Sequence, residues 1–304
     1  MKKQGPEKTM GFTPRQPPLI ALLTDFGTRD TYVGVMKGVI LSIAPQAQIV
    51  DLTHEVTPQA VLEGSARLEA ALPYFPAGTV YVAVVDPGVG SEREVCVVET
   101  EVARLVAPDN GLLTLPIRKQ RPLKVAKWSA HVGGAYVLPR ISATFHGRDI
   151  FAPLAAHLAQ GLPLEAIGAV WEASEASSLP TPSPSLPLRL LEVPVPLTLS
   201  DAQGRPALEL TVLYVDRFGN LITNLDEETL DRWMGDRGIG EERLCVRFEA
   251  GEAPLVRTFS DVEVGCLLAY RGSGGRLELA IREGNAANTL GLHTGSKLYL
   301  VVKP

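Results

Sequence analysis

Short apolar runs alternate with amphipathic segments along the first half of the chain. Residues 19–24 (LIALLT) form an apolar run that stops at Asp25-Phe26-Gly27, the pattern of a buried strand ending in a turn. From Thr31 to Ala44, Val33, Met36, Lys37, Ile40 and Ile43 recur at helical spacing, and Pro45 closes the segment. The alternation then repeats. Ile49-Val50 leads into Asp51, and residues 60–72 carry Ala and Leu at three- and four-residue intervals. Residues 79–85 (TVYVAVV) are the clearest buried strand, closed by Asp86-Pro87-Gly88. Strands alternating with helices predict an α/β domain with a mostly parallel sheet and helices on its faces. Ligands of such sheets bind at the edge where the strands end. Asp25, Asp51, Asp86 and Asp109 each follow a predicted strand and are expected to gather there. A single Asp in that position can simply cap a helix or make an Asx-turn. Four at equivalent places, two of them in Gly-rich turns (DFGT and DPGVG), point to a site.

The second half reads differently. Residues 174–196 are rich in Pro and Ser, which break any periodicity and mark a linker. Beyond it, 208–215, 244–248, 266–270, 277–281 and 297–302 are short apolar or alternating runs separated by Gly-rich turns, with one helical segment near 227–234. A small β-barrel or sandwich fits this spacing. The expected layout is a flexible tail over 1–18, an α/β domain over 19–173, the linker, and a smaller C-terminal β-barrel domain over 197–304. The length of 304 residues, with 45% apolar and 21% charged side chains, agrees with a folded two-domain chain.

Charge and motifs narrow the chemistry. A net charge of -5 offers no footprint for nucleic acid or an anionic membrane. No run reaches the roughly 18 apolar residues of a spanning helix, and the charged N-terminal stretch lacks the apolar core of a signal peptide, so the expected compartment is the cytoplasm. Cys96, Cys245 and Cys266 are scattered without CxxC spacing, and the five histidines show no HxH or HxxxH pairing, so neither a disulfide framework nor a metal site is expected. P-loop, dinucleotide and GxSxG signatures are absent. What remains are polar residues in turn contexts: Asp25 and Asp30 in TDFGTRD, Asp86 and Arg93 in DPGVGSER, Asp109 and Asn110 in APDNG, His146 in FHGRD, and Asn220 in DRFGNLITN. Carboxylates, one Arg, one His and Asn amides suit a neutral or cationic polar ligand such as a nucleoside.

The runs LTDFGTRDTYVGVMKGVI, DLTHEV, VAVVDPGVGSER, VAPDNGLLT, FHGRDIFAPLAAHL and VDRFGNLITN resemble, in order, those of the S-adenosylmethionine (SAM) hydroxide adenosyltransferase family, adenosine-forming SAM hydrolases related to the SAM-dependent fluorinase and chlorinase. The resemblance implies attack of water on the ribose C5′ of SAM, releasing adenosine and L-methionine without a cofactor. It also implies a homotrimer whose sites lie between one subunit's α/β domain and the next subunit's barrel. The family's catalytic Asp, Arg and His fall on Asp86, Arg93 and His146; Asp25 matches the carboxylate that holds the ribose hydroxyls and Asp30 the one near the methionine amine. Asn110 is taken as a further substrate-side residue, Phe218 and Asn220 match adenine-side positions, and Ser273 matches a methionine-side residue. His54 is read as structural, and Lys37 as reaching a surface or helix partner.

General chemistry agrees with this expectation. A sulfonium is already a good leaving group, so the protein must chiefly align the nucleophile and keep the site dry. Two alternatives stand beside it: a halogenase, and a non-catalytic nucleoside- or SAM-binding module. The halogenase relatives carry Tyr and Thr in the stretch matching DPGVG and Ser at the position of Gly147. Here Asp86, Val89 and Gly147 stand instead, the inserted loop of the fluorinase is missing, and Gly274 replaces an Arg that grips the methionine carboxylate. A binding module could dispense with Asp86, Arg93 and His146, so their joint presence favours catalysis.

Overall fold

The computed structural model describes residues 17–172, 187–201 and 203–303. The expected tail therefore lies outside the described residues except for 17 and 18, as does the expected linker up to residue 186. The chain divides into two compact units after Leu191.

The first unit runs β1 (Leu19–Thr24), α1 (Tyr32–Ile43), β2 (Gln48–Thr53), α2 (Val61–Ala71), β3 (Thr79–Val84), β4 (Val95–Thr100), β5 (Ala103–Pro108), α3 (Thr114–Lys119), β6 (Pro122–Trp128) and α4 (Ala130–Gly133). A single π-turn (Gly147–Phe151) then leads into α5 (Ala152–Ala159) and β7 (Gly168–Glu172). The seven strands lie in the order β2-β1-β3-β5-β4-β6-β7, and only β4 and β7 run against the rest. Alternation along β1 explains the layering. Ile20 and Leu22 face one way and pack with Met36 and Ile40 of α1 and Leu154 of α5. Ala21 and Leu23 face the other way, with Leu68 of α2 and Ile117 of α3. Each large apolar side chain so buried contributes roughly 1.5–3 kcal/mol. Helix α1 follows from Val33, Met36 and Ile40, buried along one stripe, and it ends at Ala44 because Pro45 follows.

This order places the ends of β1, β3 and β5 side by side, with Asp25, Asp86 and Asp109 on one edge. Asp51 differs from the sequence reading: β2 continues to Thr53, so Asp51 sits within the strand. The antiparallel insertion of β4 between β5 and β6 was also not expected.

The second unit runs β8 (Leu197–Ser200), β9 (Pro206–Val215), β10 (Leu221–Asp226), α6 (Glu227–Gly235), β11 (Leu244–Phe248), β12 (Gly251–Pro254), β13 (Leu267–Arg271), β14 (Arg276–Ile281), α7 (Ala286–Leu290) and β15 (Lys297–Val302). Its strands follow the order β12-β11-β15-β9-β10-β14-β13, and a bridge between Leu255 and Ala269 brings the two ends together into a nearly closed barrel. Leu210, Val212, Leu221, Val246, Leu279 and Leu300 fill it. Helix α6 starts where the Asp226 carboxylate accepts from Thr229 N at 2.8 Å, and its Leu230 and Trp233 join the barrel core. Among the described residues, no helix is long and apolar enough to cross a membrane.

Candidate active site

Asp86, Arg93 and His146 are in direct contact. The chain leaves β3 and doubles back through DPGVG, closed by Val89 N to Asp86 O (3.2 Å) and Ser91 N to Gly88 O (3.1 Å). Gly90 is required in this turn: its φ is +77°, and a Cβ there would lie 2.3 Å from the Ala143 carbonyl oxygen. Arg93 Nε donates to both Asp86 carboxylate oxygens at 2.9 Å, and its Nη2 also donates to Asp86 Oδ2. The same Nη2 lies 2.7 Å from His146 Nδ1. Both partners of the ion pair are buried, with side-chain exposures of 5% for Arg93 and 4% for Asp86, and the guanidinium packs 5.3 Å from the Phe151 ring centre. The flanking Glu92 and Glu94 are exposed. A guanidinium can only donate, so Nδ1 of His146 accepts and the neutral ring carries its proton on Nε2. Burial, and then the Arg93 charge, push His146 below the usual histidine range and hold it in that neutral form. The trio therefore presents a charge-neutralised carboxylate beside an imidazole N–H donor.

Asp25 stands next to it. Thr24 Oγ1 accepts from Phe26 N (3.2 Å) and meets His54 Nδ1 (2.8 Å), while Gly27 N donates to His54 O (2.8 Å), so the turn bearing Asp25 is clamped to His54. Gln59, in a left-handed conformation (φ 67°), aims its N–H at Asp25 Oδ2 from 2.8 Å. Burial raises the Asp25 carboxyl above the ordinary aspartate range, and the nearby Asp86 charge adds to the shift. The other expected residues are placed as follows. Asn110 donates to Val85 O (2.8 Å) and accepts from Leu112 N (3.1 Å), tying the end of β5 to the end of β3. Asp109 is engaged by the buried Lys127 and by Arg189 N (2.8 Å). Asp51 pairs with Lys37 at 2.6 Å and lies 3.0 Å from His54 Nε2, which gives Lys37 its partner. Asp30 is exposed and lines an open depression of about 530 Å3 with Thr28, Lys37 and Asp51.

Phe26, Tyr32 and Phe145 meet edge-on or tilted, with ring centres 5.1–5.9 Å apart. Gly147 lies beneath them. A Cβ there would stand 3.1 Å from both Phe145 and Phe26 and 3.2 Å from Met36 Sδ, so any larger residue must displace the rings.

Phe218, Asn220 and Ser273 belong to the second unit. Asp216 organises the turn that carries Phe218 and Asn220: its carboxylate accepts from Phe218 N (2.9 Å), Asn220 N (2.8 Å) and Asn220 Nδ2 (2.9 Å). Phe218 is thereby held outward, 75% exposed, where a core role would have buried it. Ser273 is exposed in the β13–β14 turn. Beside that turn Tyr270 donates to Glu278 at 2.5 Å, and burial raises the Glu278 carboxyl, with the Asp216 charge adding to it. Asp216 and Gln59 hold predicted residues in place, and neither is among the candidates read from the sequence. Asp216 carries a visible signal, the Asx-type spacing of DRFGN; Gln59 carries none.

Among the described residues, no three His, Cys, Asp or Glu side chains are grouped to hold a metal ion.

Comparison with known proteins places these features in a family. The SAM hydroxide adenosyltransferase N-terminal domain matches residues 20–168, and the C-terminal domain of the same name matches 210–299. A Thermus thermophilus protein named (R)-S-adenosyl-L-methionine hydrolase is 38% identical, covering 93% of this chain and 99% of its own. A fluorinase from an Actinoplanes species is 31% identical over 86% of this chain and 90% of its own. The crystal structure of an uncharacterized conserved protein from Thermotoga maritima superposes with a TM-score of 0.79 at 35% identity, covering 93% of this chain and 99% of that one. The chain belongs to the SAM hydroxide adenosyltransferase family.

Proposed function

We propose that the protein hydrolyses S-adenosyl-L-methionine to adenosine and L-methionine, with Asp86, Arg93 and His146 handling the attacking water. The observation that carries this reading is the hydrogen-bonded run from Asp86 through Arg93 to His146, buried beside Asp25. Because Nδ1 of His146 accepts from Arg93, the ring cannot take the proton from water while that bond lasts. It offers its Nε2–H as a donor instead. Asp86 is then the proton acceptor: its Oδ1 takes one of the three Arg93 bonds and keeps a lone pair for the water, whereas Oδ2 takes two. Arg93 offsets the charge of Asp86 and, with His146, stabilises the hydroxide character that builds on the nucleophile. The water oxygen forms a bond to C5′ as the C5′–S bond breaks, the electron pair leaves on sulfur as a neutral thioether, and the water proton goes to Asp86. The sulfonium charge disappears in this step, so a site with little water favours the transition state over separated charges.

Asp25 holds the ribose diol, since a carboxylate accepts two hydrogen bonds at once. Asp30 receives the methionine amine, and Phe218, Asn220 and Ser273 serve the adenine and methionine ends. Asn110 acts by fixing the strand ends beneath the ligand. The step needs no metal or cofactor, because a thioether leaves without Lewis-acid help. The working assembly is a homotrimer in which one subunit supplies the catalytic trio and its neighbour supplies Phe218 and Asn220. Incubating the purified protein with SAM plus a chelator and separating the products tests the reaction. Equal amounts of adenosine and methionine are expected. Intact SAM, or activity that only added metal restores, would refute it.

A further inference from the structure

Asp149 is a fully buried carboxylate, at 0% exposure, three residues beyond His146 on the π-turn. Burying a charge is costly unless it is paired and hydrogen-bonded. Both of its oxygens are engaged: Oδ1 accepts from Arg148 Nε (2.6 Å), and Oδ2 accepts from Arg148 Nη2 (3.0 Å) and from Ser142 N (2.7 Å). Its backbone adds two further ties, Leu138 N to Asp149 O (2.9 Å) and Asp149 N to Phe145 O (3.2 Å). Residues 139–145 form no regular element, so these bonds set their path.

That path touches the catalytic trio twice. Ala143, next to Ser142, sets its carbonyl against Gly90 of the turn that bears Asp86. His146, at the end of the same stretch, meets Arg93. Arg148, the counter-charge of Asp149, also stacks 5.1 Å from the ring of Phe145, one residue before His146. An amide could satisfy the Ser142 bond; a carboxylate additionally brings a negative charge close to the imidazole. π-turns inside helices are frequent at functional sites, where they redirect a side chain.

We propose that Asp149 is a positioning residue for His146, fixing the loop that aims the imidazole at Arg93 and sets Ala143 against the Asp86 turn. This rests on the reading that His146 serves in the hydrolysis. The groups facing the imidazole are Arg93 and Asp86 from the turn after β3, and Asp149 from its own turn. Arg93 lowers the imidazole's proton affinity while Asp86 and Asp149 raise it, so removing the Asp149 charge shifts titration downward.

The test compares Asp149→Asn in the wild-type chain and in a His146→Gln background, with SAM as substrate. In the wild-type chain kcat falls roughly ten- to a hundredfold, less than the 10²–10⁴ attributed to a positioned acid–base group because the imidazole itself remains, while KM changes by less than about threefold. The acid limb of the kcat–pH profile moves to lower pH. In the His146→Gln background the same substitution costs less than about twofold, because coupled residues are not additive. An unmoved acid limb, or the full loss persisting in the His146→Gln background, would overturn the proposal. Should Asp149→Asn fail to fold, Arg148→Met decides: it keeps the Ser142 bond, strips the counter-charge and moves the acid limb to higher pH, and a folded variant with an unmoved limb refutes the role. If His146→Gln itself retains wild-type kcat, the reading of His146 falls first and this inference with it.

Discussion

Arg93→Met isolates the buried ion pair at the centre of the site. The substitution keeps an unbranched side chain but leaves the Asp86 carboxylate, 4% exposed, without its three guanidinium hydrogen bonds. Breaking a buried pair from one side costs about 3–5 kcal/mol, far above the 0–1 kcal/mol of a surface pair. For a unit of this size that lowers the unfolding temperature by roughly 6–20 °C. A double variant, Arg93→Met with Asp86→Leu, recovers most of the loss, because two apolar side chains replace a buried pair at little cost. Activity is lost in the single and the double variant alike. The assay is urea unfolding at neutral pH, paired with adenosine release followed by chromatography. An Arg93→Met protein within 1 kcal/mol of wild type, with the double variant no more stable, would show that the pair is solvated and that the trio is not a buried unit.

Other outcomes follow from the same geometry. Because burial and Arg93 depress His146, the acid limb of kcat/KM lies below the ordinary histidine range, and His146→Gln removes that limb; a limb at or above the usual value would contradict the assigned tautomer. Asp25→Ala weakens adenosine binding by about 1.5–3 kcal/mol in calorimetry, and wild-type affinity weakens on acidification from above the ordinary aspartate range, since burial raises that carboxyl. Gly147→Ser destabilises by about 1–3 kcal/mol in thermal unfolding and yields no 5′-halo-adenosine in molar chloride or fluoride, because the added atoms meet Phe26, Phe145 and Met36. Mixing inactive Asp86→Ala with inactive Asn220→Ala subunits restores part of the activity if neighbouring subunits share a site; absence of rescue despite subunit exchange would place the site within one chain.

In the α/β half β1 and β3 were legible because they are buried on both faces and read as continuous apolar runs, and because Pro45 and the DFG and DPG turns punctuate the chain; β4, β6 and β7 were not read. Strand order was not legible. Nothing local in Val95–Thr100 tells that it inserts between β5 and β6, since such pairing depends on contacts remote in sequence. The barrel strands β9, β11, β13, β14 and β15 were visible as alternating runs between Gly-rich turns. The short β8 and β12 were not, and β10 was met only through the motif DRFGNLITN that leads into it. At the site, Arg93 in SERE reads alone as a solvated residue among glutamates; only the fold shows it turned inward on Asp86 while Glu92 and Glu94 stay exposed. Asp149 was hidden for the same reason. A carboxylate beside an Arg looks like a surface pair until the loop at Ser142 is seen to cover it.

In the proposed reaction water bound by Asp86, Arg93 and His146 attacks the ribose carbon of SAM, and oxygen-18 water follows that oxygen into the product. A single turnover in labelled water, followed by mass analysis of both products, should place one heavy oxygen on the 5′-hydroxyl of adenosine and none in methionine. Adenosine free of label, or label appearing in methionine, would contradict attack at C5′ and with it the roles assigned to the three residues.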